Sequence, residues 1–100
     1  MSEDLETLKG LIAKDLGLEK GLIIDGKTHV AILEALSRII SYLLDHDLSK
    51  LLQALYRIDV NEQAVKQILA TEETSEMSMQ IAQLILKREL EKVETRNLYR

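Results

Sequence analysis

The feature that most constrains this chain is the stretch from Thr28 to His46. Its apolar residues Ile32, Leu33, Leu36, Ile39, Ile40, Leu43 and Leu44 recur at helical spacing, while Glu34, Arg38, Ser41 and Asp45 share the opposite side. A strand of the same residues would scatter the apolar groups over both faces, so the segment predicts an amphipathic helix and, by the breadth of its stripe, the central core helix. The rest of the chain suits the same class. Proline, usually about 5% of residues, is absent, and strong helix formers dominate. The hydrophobic fraction is 46%, carried by 19 Leu and 10 Ile with no Phe or Trp, which is enough aliphatic material for one core in 100 residues. The expected fold is a single all-α domain over residues 1–100, with about five helices in a compact antiparallel bundle.

The other helices follow from caps and periodicity. A first helix is expected at about Glu3 to Leu16, with Ser2 as N-cap, Gly17 as C-cap, and Leu5, Leu8, Ile12 and Leu16 on one face. Leu18 to Lys27 reads as a connection containing an Asp25-Gly26 turn signal. A third helix is expected at about Leu48 to Arg57, capped by Asp47, with Leu48, Leu51, Leu52 and Leu55 inward. Asp59-Val-Asn-Glu62 has the form of a capping box and predicts a short fourth helix from about Val60 to Ala70. Thr71 to Ser75 reads as a loop. A last helix is expected at about Glu76 to Arg96, where Met77, Ile81, Leu84 and Ile85 form one apolar face and Met79, Ala82, Leu86, Leu90 and Val93 a nearly opposite one. Such a helix is either enclosed by its own domain or packed against a second molecule. Met79, Leu86, Leu90 and Val93 are therefore the candidate interface residues, with a protein partner or a homodimer as the expected association.

Composition also narrows the function classes. With no cysteine, disulfides and thiolate metal sites are excluded. A net charge of −4 weighs against general phosphate-backbone binding, and no apolar run reaches the ~18 residues of a membrane-spanning helix. The acidic opening, Met1 to Glu6, has no secretory pattern, so the expected location is the cytoplasm.

Two short matches resemble enzyme signatures. Gly21-Leu-Ile-Ile-Asp-Gly26-Lys27-Thr28 fits the phosphate-loop pattern, in which backbone N–H groups wrap phosphates, the lysine reaches the terminal phosphates and the threonine holds magnesium. That loop must leave a parallel strand, and here a helix precedes it; Leu22, Ile23 and Ile24 also call for burial rather than for curling around a ligand. His46-Asp47 resembles the dyad of the metal-dependent phosphohydrolases named after it. The other histidine, His29, lies 17 residues earlier on the same helix, roughly 25 Å away, too far to share an ion. The third and fourth helices could mimic a helix-turn-helix presenting Asn61, Gln63, Lys66 and Gln67, but Asp59, Glu62 and the acidic total oppose DNA, and Tyr42, Tyr56 and Tyr99 are too few for base stacking. No catalytic, cofactor or metal residue is assigned. A metal-dependent phosphohydrolase, a nucleotide-binding protein and a DNA-associated regulator stand as the alternatives to an interaction domain.

The segment Leu55-Tyr-Arg-Ile-Asp-Val60, followed by a short helix and a long amphipathic one, resembles small bacterial helical proteins without an assigned activity. The resemblance spans about the last half of the chain. It implies an all-helical domain and carries no functional residues across.

Overall fold

The computed structural model describes residues 2–18, 27–71 and 73–98 and contains five helices: α1 (Ser2–Leu16), α2 (His29–His46), α3 (Leu48–Ile58), α4 (Glu62–Thr71) and α5 (Thr74–Leu98). Among the described residues there is no strand. The radius of gyration is 13.1 Å, which is the value of a compact 100-residue bundle.

Local chemistry sets most of the boundaries. Gly17 ends α1 at φ +63, and the Gly17 N–H to Lys14 C=O and Leu18 N–H to Ala13 C=O contacts are the two hydrogen bonds of a Schellman turn. The Thr28 hydroxyl accepts from the Ala31 N–H at 3.0 Å and starts α2. The Asp47 carboxylate accepts from the Lys50 N–H at 3.1 Å and starts α3 in the same way. The α3–α4 corner differs from the expected capping box. Asp59 takes the left-handed conformation, φ 67 and ψ 51, and closes α3 with its own N–H on the Leu55 and Tyr56 carbonyls. The N-cap of α4 is Asn61, whose side-chain oxygen accepts from the Ala64 N–H. Asp and Asn both tolerate the left-handed region and both cap helices, so the residue types alone leave the two assignments degenerate.

The core gathers Leu8, Ile12 and Leu16 of α1, Ile32, Leu36 and Ile40 of α2, Leu51, Ala54 and Ile58 of α3, and Ile81, Ala82 and Ile85 of α5. The α2 stripe is as expected: Ile32, Leu36, Ile40 and Leu43 are buried, with Leu33, Ile39 and Leu44 packed along its edges. The centre of the bundle, however, belongs to α5. It touches all four other helices and makes its largest interface with α2.

Two helical faces also differ from the sequence reading. On α3 the inward residues are Leu51, Ala54, Leu55 and Ile58, while Leu48 and Leu52 stand 45% exposed. On α5 the two apolar groups are the halves of one arc. Ile81, Ile85, Ala82, Val93 and Leu86 are all buried, and at about 100° per residue they span roughly 140° without a break. The arc looked divided because its middle holds two polar residues, Ser78 and Glu89, both buried.

Candidate interaction surface

The candidate interface residues sit on the outer edge of that arc. Leu86 (9% exposed) and Val93 (5%) are buried within the single chain, and Met79 and Leu90 are half-buried. Leu86 and Leu90 line, together with Leu33 of α2, an open apolar depression of about 370 Å³. Its rim is charged and polar, formed by exposed Gln83, Lys87, Glu91 and Glu94. Helical spacing builds this site: residues 83, 86, 87, 90, 91 and 94 are successive neighbours at three- and four-residue steps, so they form one strip along α5. Val30, 64% exposed and one turn before Leu33 on α2, continues the apolar character beyond the groove.

A second uncovered apolar strip runs along α3. Leu48, Leu52 and Tyr56 are four residues apart, and Tyr56 is 87% exposed. Ser49, Gln53 and Arg57 lie alongside Leu52 and Tyr56 in a shallow surface depression.

The most polar feature of the interior was not read from the sequence. Glu89 is fully buried at the centre of the α5 arc, and among the described residues neither carboxylate oxygen has a hydrogen-bond donor. Asp15 of α1 and Lys92 of α5 are its charged neighbours: the Lys92 Nζ stands 3.4 Å from Asp15 Oδ2 and 3.8 Å from Glu89 Oε1. Burial, reinforced by the Asp15 carboxylate, pushes the Glu89 carboxyl up to about 8, against the opposing pull of Lys92 and Arg88. The physical reading is a protonated Glu89 that donates toward Asp15, while Lys92 neutralises Asp15. A signal existed in the spacing: Ile81, Ile85, Glu89 and Val93 form one four-residue series, and an ionisable member of an otherwise apolar series is a buried ionisable group.

The residues of the enzyme-like matches are used locally. The Thr28 hydroxyl and the Asp47 carboxylate are helix caps. His46 packs its ring on Tyr42, with centroids 4.6 Å apart, and His29 lies at the far end of the same 18-residue helix. Among the described residues, no group of three or more His, Cys, Asp or Glu side chains is arranged to hold a metal ion. Positions 21–26 of the phosphate-loop match lie outside the described residues, as does the Asp25-Gly26 turn. No described helix is long and apolar enough to cross a membrane.

A cap and a metal ligand respond differently to substitution. Asp47→Ser retains a capping oxygen and is expected to stay within a few tenths of a kcal/mol of the parent, whereas Asp47→Ala loses about 1 kcal/mol in urea denaturation. A parent stability that rises with added manganese or zinc, and loses that rise in both variants, would instead make Asp47 a ligand.

Comparison with known protein families, with curated proteins and with solved structures finds no match to this chain.

Proposed function

We propose that this chain is a small non-enzymatic interaction domain that binds a protein, itself or another, through the outer face of α5. The observation that supports this reading is the groove of Leu33, Leu86 and Leu90 with its rim of Lys87, Glu91 and Glu94. Burying its leucines releases water from apolar surface, and the rim charges set the orientation in which a partner is accepted. The reading carries forward the interface candidates Met79, Leu86, Leu90 and Val93, with a changed emphasis. Leu86 and Val93 already serve the fold, so Leu90 and the half-buried edge beside it provide the contact. The cytoplasm remains the expected location, and the likeness to small bacterial helical proteins remains an expectation of the same kind.

A photoreactive benzoyl-phenylalanine placed at Gln83, on the rim, tests this in cells that express the chain. The same group at Gln63, exposed on α4, serves as the control. A discrete protein adduct is expected at position 83 and not at 63. Equal, diffuse labelling at the two positions would remove the groove as an interaction site.

A further inference from the structure

We propose that the occupant of the α5 groove is the same groove on a second copy of the chain, packed across a two-fold axis with the two α5 helices antiparallel. The inference rests on the interaction reading above and adds the partner's identity.

The order of charges along the rim is the argument. Along one exposed flank of α5, Lys87 comes first, and Glu91 and Glu94 follow one and two turns later. A two-fold axis perpendicular to the helix keeps that flank on one side and reverses its direction. Lys87 of each copy then lies opposite the acidic pair of the other, giving two equivalent sets of attractive contacts. A parallel two-fold would instead carry that flank to the opposite side of the pair, and Lys87 would not face Glu91 and Glu94. Between the flanks, the half-buried Leu90 of one copy stands over the depression bounded by Leu33 and Leu86 of its partner, as ridges seat in grooves.

The α3 strip does not support the same construction, although Leu48, Leu52 and Tyr56 are more exposed. Arg57 is the charged residue beside that strip, and α3 carries no acidic residue to meet it across a two-fold, while Lys50 lies against Gly17 of α1. The remaining neighbours, Ser49 and Gln53, are uncharged and select no partner.

The contact is small. From Gln83 to Glu94, α5 extends about 17 Å, so a helix pair of that length falls at the low end of specific interfaces, and association in the micromolar range or weaker is expected.

Sedimentation equilibrium of the purified full chain tests the proposal, with circular dichroism confirming the fold of each variant. At about 0.1–1 mM the parent is expected to exceed its 11.4 kDa monomer mass and approach twice that value. Lys87→Glu makes the flank wholly acidic, and Glu91→Lys with Glu94→Lys makes it wholly basic. Each variant alone should associate at least roughly tenfold more weakly, and an equimolar mixture should recover the parent's association as a mixed dimer. A parent that remains at monomer mass overturns the self-pairing; a position-83 adduct with a different protein would then leave the interaction reading standing. Association unaffected by either charge reversal, or abolished by Leu52→Lys instead, would place the contact on α3 and overturn the proposal. Failure of the mixture to recover would overturn the antiparallel arrangement.

Discussion

Glu89→Gln is expected to stabilise the protein strongly above pH 8 and to flatten its pH dependence. The carboxyl of Glu89 ionises near 4.5 in an unfolded chain and near 8 in the bundle. Between these values the unfolded chain has released a proton that the folded chain still holds, so rising pH favours unfolding. The stabilisation from holding that proton is complete below pH 4.5 and is lost as pH passes through 8. Each pH unit across the window removes up to about 1.4 kcal/mol, several kcal/mol in all. Asp15 on α1 raises the ionisation point further, and Lys92 and Arg88 on α5 oppose it without overcoming burial. Glutamine is neutral at every pH and offers Asp15 an N–H in place of the acid O–H. At pH 9 the variant should exceed the parent by about 3 kcal/mol, while at pH 5 the two should lie within about 1 kcal/mol. Urea denaturation from pH 5 to 9 measures both curves. A parent whose stability is level or rising between pH 5 and 8 would show that Glu89 is ionised in the folded state and that this account of the core is wrong.

The second large effect concerns Ile85, fully buried on the α5 face that the other helices enclose. Ile85→Ala removes three side-chain carbons where the surrounding side chains are held by several helices and collapse only partly into the space. A loss of about 3–4 kcal/mol follows, a large share of the 5–15 kcal/mol that holds an ordinary domain together. In a chain of this size that lowers the melting temperature by roughly 15 °C or more. Tyr56→Ala deletes a larger side chain, yet at 87% exposure it should change stability by no more than about 0.5 kcal/mol in the monomer. If Ile85→Ala costs less than about 1 kcal/mol, or if Tyr56→Ala costs as much, α5 is not the centre of the bundle.

The two predictions fall on the same helix, which is also where the sequence was hardest to interpret. The α2 stripe was legible because its polar residues all lie on the solvent side; nothing interrupts Ile32, Leu36, Ile40 and Leu43. On α5 a glutamate and a serine occupy the middle of the buried arc, so a single broad face looked like two. Leu86 and Val93, interface candidates by that apparent second face, are both buried within the chain, and Leu86 also borders the α5 groove. The α3 strip failed for another reason. Leucines at 48, 51, 52 and 55 span about 100° of the helix, but the buried arc is turned by about 60° toward Ala54 and Ile58, and the packing against α1, α2 and α5 leaves Leu48 and Leu52 outside.

What the sequence determined by itself is most of what acts within one turn of chain, the α3–α4 corner excepted. The helical class, the left-handed stop at Gly17, the cap at Asp47 and the inward face of α2 all depend on residues at most a few positions apart. Hydrogen bonds and side-chain spacing over that range are written directly into residue order. The tertiary structure alone decided which helix became the hub, which α3 leucines found cover, and that Asp15 meets Glu89 and Lys92. Asp15 and Lys92 are separated by 77 positions, and their approach depends on how α1 settles against α5. That placement is set by the summed burial of many aliphatic side chains, and no local pattern encodes it.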